Sequence, residues 1–226
     1  MIPFDSFLSV LRPGSRVSTV KISLLRLNLV AIAALSAVIP ASPCAAQARV
    51  PTPSGPPYTA ADVKFMQGMI GHHAQALVMA AMAPTHGARA QVSLFCKKVI
   101  ISQRDEIVFM QTWLKDRGKT VPDPAAHMDM NMDMGDHSML MPGMLTPEQM
   151  KQLDQAKDTT FDRLFLTFMI QHHQGALTMV AELFDSPGAG QTAEIFGYAT
   201  GVDTDQRAEI ERMEGMLSTL QRRKPQ

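Results

Sequence analysis

Four of the seven histidines in this 226-residue chain stand in two His-His pairs, His72-His73 and His172-His173, 100 positions apart. Methionine brackets both pairs, Met69 and Met79 around the first, Met169 and Met179 around the second. Thioether sulfur is a soft donor and imidazole an intermediate one, a combination that suits copper, above all Cu(I), and by the same softness silver. A structural zinc site would need a closed set of four Cys and His, and the chain has two cysteines, of which Cys44 lies near the N-terminus. A carboxylate-bridged di-iron centre in a helical bundle needs Glu-x-x-His motifs, and none occurs here. The plainer reading is that a histidine on an apolar face is a hydrogen-bonded core residue and a methionine at helical spacing is core filling. Four histidines and four methionines placed alike in two copies favour metal binding over that reading.

The pairs belong to a longer repeat. Asp62 to Ala81 and Asp162 to Ala181 both fit D-x-x-F-x-x-x-M-I-x-H-H-x-x-A-L-x-M-x-A without a gap. A repeat at fixed spacing defines the architectural unit. Phe65, Met69, His72, Ala76, Met79 and Ala83 alternate by four and three, the spacing of one apolar helix face. Phe165, Met169, His172, Ala176, Met179 and Leu183 repeat it. His72 and His172 therefore lie in the seam, with His73 and His173 about 100° further round, on its flank. Met69 is three residues before His72 and four before His73, so its thioether can meet either ring.

Four long helices must carry these residues. Thr59 with Asp62 forms an N-cap and acidic first turn, and the first helix runs to about Ala83, before Pro84 and Gly87. A second spans about Ala88 to Arg117. A short helix from Thr146-Pro147 to about Ala156 carries a capping pattern with Gln149. The second His-His helix covers about Thr159 to Phe184, closed by Ser186-Pro187-Gly188. The last covers about Gln191 to Leu220, weakened near Gly197 and Gly201. Helices two and four also match each other, Gln103-x-x-Glu106-Ile107-x-x-Met110 against Gln206-x-x-Glu209-Ile210-x-x-Met213. The expected fold is all-α: an antiparallel, ferritin-like four-helix bundle made of two duplicated helical hairpins joined by a Met-rich loop. Gln103, Glu106, Gln206 and Glu209 lie on or near core seams. They either accept an imidazole N–H and fix its tautomer or point to solvent.

The joining segment is different in kind. His127 to Met144 holds seven of the 18 methionines, alternating with Asp and Asn before a Pro-Gly. Its low complexity reads as a mobile loop. His127, Met128, Met130, Met132, Met134, His137, Met139, Met141 and Met144 are a second set of candidate ligands on a segment able to wrap an ion.

The N-terminus is tripartite. Arg12, Arg16, Lys21 and Arg26 precede an apolar run from Leu27 to Ile39, and Ala46 and Ala48 make an A-x-A arrangement. That is the form of a secretory signal peptide, ending near residues 46–48. The run is short for a membrane span of about 20 residues, although an uncleaved anchor is the alternative. Pro43 fits poorly with lipidation at Cys44. Residues 1–48 hold four of the 21 Lys/Arg and one of the 21 Asp/Glu, leaving 17 basic against 20 acidic groups. Nothing in that balance points to nucleic acid. The expected mature protein is periplasmic or secreted, without stable membrane association, and starts with a Pro-rich linker at 49–58. The bundle occupies 59–220, with its His/Met-rich loop at 119–145, and a short tail follows at 221–226. Cys96, its only cysteine, reads as a buried small hydrophobe.

The two F-x-x-x-M-I-x-H-H-x-x-A-x-x-M segments, each followed by Q-x-x-E-I-x-x-M, resemble the CopM-like family of exported bacterial copper-binding proteins, catalogued as a domain of unknown function (family 305). The resemblance covers about residues 59–220. It implies a ferritin-like bundle that binds Cu(I), Cu(II) or silver and contributes to copper tolerance, with copper ions and a copper-transfer protein as partners. It carries metal-ligand roles onto Met69, His72, His73, Met79, Met169, His172, His173 and Met179. The copies depart from each other where Met66 and Gly68 become Leu166 and Phe168, so two half-sites of different affinity are expected. A copper buffer or carrier is thus the leading reading. Its rivals are a metal-dependent oxidoreductase and a structural bundle with core histidines.

Overall fold

The computed structural model describes residues 58–124 and 140–222. The expected signal peptide at 1–48, most of the Pro-rich segment at 49–58, the loop residues His127 to Met139 and the last four residues lie outside them. Among the described residues all regular structure is helical: α1 Ala60–Ala81, α2 Ala90–Asp116, α3 Pro147–Gln155, α4 Asp158–Asp185 and α5 Ala193–Arg222, with a 3-10 turn at Ala83–Thr85.

Local chemistry sets the helix ends. Thr59 Oγ1 accepts the Asp62 N–H at 3.2 Å while Asp62 Oδ2 accepts the Thr59 N–H at 2.7 Å, a reciprocal box that satisfies two end donors. Thr146 and Gln149 repeat it at α3, with Pro147 at the first helical position. Pro84 and the left-handed Gly87 (φ 69°) turn the chain between α1 and α2. Contrary to the expected weak point, α5 runs unbroken through Gly197 and Gly201. Both glycines face solvent, and the helix is held from its other face by buried Ile195, Ala199 and Val202. Tertiary burial outweighs a cost of about 1 kcal/mol per glycine.

α1 packs on α2 and α4 on α5, and the two hairpins meet along α1 and α4. The aspartates that open the repeat lock this pairing. Buried Asp62 accepts the Gly190 N–H, just beyond α4, at 2.7 Å. Asp162 accepts the Arg89 N–H, between α1 and α2, at 3.2 Å. The start of each His-His helix is therefore tied to the loop that follows the other, which makes α1 and α4 antiparallel. Asp62 reads from sequence as a first-turn residue; its cross-hairpin bond depends on a partner 128 positions away.

Two apolar clusters fill the bundle. One gathers Phe95, Val99, Phe161, Phe165, Met169 and Met213. The other gathers Phe65, Met69, Ile107, Met110, Ala176 and Ile195. On α1 the first begins at Ala76 and the second ends at Ile70, so His72 and His73 form a polar layer between them. Cys96 is buried, and burial pushes its thiol up to about 12.

Candidate functional site

The four repeat histidines form a row across the middle of the bundle. His72 and His172 stack with ring centroids 3.8 Å apart. His73 lies 6.4 Å from His72, and His173 lies 6.2 Å from His172. All four are buried. His73 and His173, placed on the seam's flank by the spacing, are enclosed there, because α2 and α5 cover that flank.

Each ring uses Nε2. His73 donates to Glu106 Oε2 at 2.7 Å and His173 to Glu209 Oε2 at 2.6 Å. His72 donates to the Pro142 carbonyl at 3.0 Å, and His172 to the His72 carbonyl at 2.9 Å. Those acceptors take a hydrogen bond from the ring, so each imidazole is protonated at Nε2. All four Nδ1 atoms are buried and have no hydrogen-bond partner among the described residues. Burial lowers His72 to about 3, helped by the neighbouring His73. Burial, followed by His72, holds His172 well below the ordinary histidine range. Both rings are neutral, the form a metal requires.

His86 shows what a satisfied core histidine looks like in this fold. It too is buried, but its Nδ1 lies 2.9 Å from Thr85 Oγ1 and its Nε2 2.8 Å from the Asp154 carbonyl. Both of its nitrogens are partnered, whereas each repeat histidine leaves one bare.

Glu106 and Glu209 reach the histidines and keep 24% and 18% of their side-chain surface exposed. Gln103 and Gln206 do not reach them. Their buried amides line a polar pocket of about 170 Å³ between α2 and α5, together with both glutamates, Ser102 and Asp205. Gln103 Oε1 and Nε2 and Gln206 Oε1 have no partner among the described residues. Tyr198 is a contact that the sequence did not signal. Its hydroxyl donates to Met110 Sδ at 3.2 Å and lies 3.5 Å from Glu106 Oε2, and burial holds its pKa well above the ordinary value.

Met69, Met79 and Met169 are fully enclosed in the apolar clusters, while Met179 is 8% exposed. Of the loop candidates, Met144 is a core residue and Met141 is half-buried against α1; His127, Met128, Met130, Met132, Met134, His137 and Met139 lie outside the described residues. The described end of that loop is a strap over the histidine row. Gln75 grips Leu145 with Oε1 on its N–H at 2.7 Å and Nε2 on its carbonyl at 3.0 Å. Gln171 Nε2 donates to the Gly143 carbonyl at 3.3 Å. Gly175 lets the strap approach: a Cβ there would lie 2.0 Å from the Pro142 carbonyl oxygen. Among the described residues, no three His, Cys, Asp or Glu side chains converge closely enough to hold an ion between them.

A duplicated antiparallel bundle with a central layer of buried imidazoles, each backed by a carboxylate or a carbonyl, is the class that the geometry defines. The family model for the domain of unknown function DUF305 matches residues 62–217, and the chain belongs to that family. Among solved structures, a DUF305 fragment from Deinococcus radiodurans is 30% identical, with 73% of this chain and 99% of that one covered and a TM-score of 0.61. A DUF305 protein from Streptomyces coelicolor, 24% identical over 71% of this chain and 93% of its own, shares the fold with a TM-score of 0.59. CopM in its Cu(II)-bound form is 27% identical over 70% of this chain and 96% of its own, with a TM-score of 0.56. CopM is also solved in Cu(I)-bound and Ag-bound forms. No curated protein matches the chain.

Proposed function

We propose that this chain is a copper-binding protein that takes Cu(I) or Cu(II), and silver by the same chemistry, through its repeat histidines and methionines, and that it buffers, sequesters or carries the metal rather than transforming a substrate. The observation that carries this reading is the set of four buried imidazoles whose Nδ1 atoms have no hydrogen-bond partner among the described residues. Leaving a buried acceptor unpaired costs about 1–3 kcal/mol, and His86 demonstrates that the fold can satisfy a histidine completely. The copper-bound and silver-bound forms of the relative CopM point the same way.

The ligand set follows from the hydrogen bonds. With every Nε2 engaged, Nδ1 is the nitrogen offered to metal, and Glu106 and Glu209 hold His73 and His173 in the required tautomer. Because no three His, Cys, Asp or Glu side chains converge among the described residues, the set is completed by thioethers of Met69, Met79 and Met169 after side-chain rotation. The His/Met-rich segment from His127 to Met144 adds soft donors outside the bundle. The basic, apolar and small-residue pattern of residues 1–48 supports export to the periplasm or medium. No described helix is long and apolar enough to cross a membrane.

Replacing His72, His73, His172 and His173 together with Ala tests the reading. Copper per chain, measured after equilibrium dialysis, should fall to what the loop alone retains, with the helical circular dichroism kept. Full copper content in that variant would assign the histidines to packing.

A further inference from the structure

The two copies of the repeat differ at a position that controls access to a thioether. Gly68 in α1 corresponds to Phe168 in α4. A Cβ placed on Gly68 would lie 3.3 Å from Met141 Sδ and 3.3 Å from Met179 Cε. Both methionine side chains thus rest against the space that a larger residue would take. Around them opens a pocket of about 250 Å³, bounded by Phe65, Pro142 and Leu183. A water molecule's share of liquid volume is about 30 Å³, so the pocket admits a small hydrated ion. Lys64 and Glu182 both line it, so its mouth has no dominant charge and the thioethers set its preference.

In the other half the matching thioether is enclosed. Met79, the counterpart of Met179, is 0% exposed and shares an apolar cluster with Phe168. Met141 has no repeat partner at all, since it comes from the strap. Its position is not left to chance: the next residue's carbonyl accepts from His72, and Gln75 clamps Leu145 four residues on.

We infer that the Gly68 pocket is a site for a soft monovalent cation, Cu(I) or Ag(I), with Met141 and Met179 as its donors, occurring once per chain and without a counterpart in the second half. This rests on the metal-binding reading above and extends it to a site separate from the imidazole row. Thioethers are neutral and soft, so they favour d¹⁰ monovalent ions over Cu(II) or Zn(II). They need lose no proton, so this site keeps its ion at a pH where exposed imidazoles have taken up theirs.

Ag(I) titration of the full chain by competition calorimetry, with the helical spectrum checked for each variant, tests the site. Met141→Leu and Met179→Leu preserve volume and should each weaken one silver equivalent by at least about tenfold. Gly68→Phe, which copies the second repeat, should do the same, whereas Met79→Leu should leave that equivalent unchanged. The loss should persist at pH about 5. Unchanged silver count and affinity in both leucine variants would overturn the site while leaving the imidazole reading intact. A wild-type chain that takes up no silver and no copper would overturn both. Should Gly68→Phe misfold, the two leucine variants still decide.

Discussion

The first and second hairpins begin from nearly the same sequence and end in different surroundings. Both carry a His pair backed by a glutamate, and both pack an aromatic pair at matching places, Phe65 against Tyr198 and Phe165 against Phe95. The matches stop where the strap touches down. Gln75 in α1 clamps Leu145, while its counterpart in α4 is Gly175, whose missing side chain admits Pro142 and Gly143. Gln171 holds Gly143, and its counterpart is Gly71. One connecting segment can cross a two-fold pair of helices in only one way, so it must break the symmetry. In doing so it gives His72 a strap carbonyl to donate to, where His172 is left with the backbone of α1.

Acid should produce the largest effect, and it should strike both halves together. His72 and His172 have folded-state pKa values below the ordinary histidine value, so the unfolded chain takes up protons first as pH falls. Their contribution is full above about pH 6.5 and is lost as pH drops toward the lowered His72 value of about 3. For the metal-free protein, each of the two should steepen the loss by up to about 1.4 kcal/mol per pH unit across that window. Urea midpoints at successive pH values measure it. A flat profile between pH about 6 and 5, above the main carboxylate range, would remove the buried neutral pair from the account.

Next in size comes the strap. Gly175→Leu drives a side chain into the backbone of Pro142 and Gly143 and should cost about 3 kcal/mol, the upper end of ordinary overpacking. Gln75→Ala leaves the Leu145 N–H and carbonyl buried without their partners and should cost about 1–3 kcal/mol. Equal chemical-denaturation midpoints for wild type and Gln75→Ala would mean that the strap is not fastened there.

The two aspartates offer a sharper comparison. Asp62 serves the Thr59 cap and the Gly190 N–H together, whereas Asp162 accepts from the Arg89 N–H with Oδ1 and has Arg89 Nε at 3.6 Å. Burial raises the Asp162 pKa, which offsets part of what its contacts contribute. Asp62→Ala should therefore cost more than Asp162→Ala, by about 1 kcal/mol for the additional cap. The reverse order in thermal unfolding would show that the cap is not what separates them.

The smallest effect should come from making the aromatic pairs alike. Tyr198→Phe removes the hydroxyl that contacts Met110 and Glu106 and should cost about 0.5–1.5 kcal/mol. Copper uptake at His73 should persist, because Glu106 keeps its hydrogen bond to that ring. A large loss of copper in Tyr198→Phe would place the tyrosine in the binding machinery of the first half alone.

Much of this was legible in the residues. A gap-free repeat, seams at three-and-four spacing, an N-cap at Thr59 and a capping box at Thr146 are local properties, and local geometry makes each of them a statement about a helix. The pairing of Glu106 and Glu209 with histidines was one of two readings open to a seam glutamate, and contact across a hairpin decided it. Full burial of His73 and His173, the bare pocket amides of Gln103 and Gln206, and the unbroken run of α5 through its glycines were not legible. Periodicity gives the direction of a side chain from its own helix axis, but not which neighbour covers that direction.

By itself the sequence determined that there are two matching helical hairpins, that imidazole and thioether recur at fixed offsets within them, and that no Glu-x-x-His motif occurs. Only the tertiary structure decided which ring nitrogen is free, because that depends on a carbonyl 70 positions from His72 and a carboxylate 33 positions from His73. It also decided that Met179 opens to a pocket and Met79 does not. The exchange of Gly68 for Phe168 is visible in the sequence, yet its consequence follows from packing: a side chain fills the space in front of it, and what stands there is set by the other half of the chain.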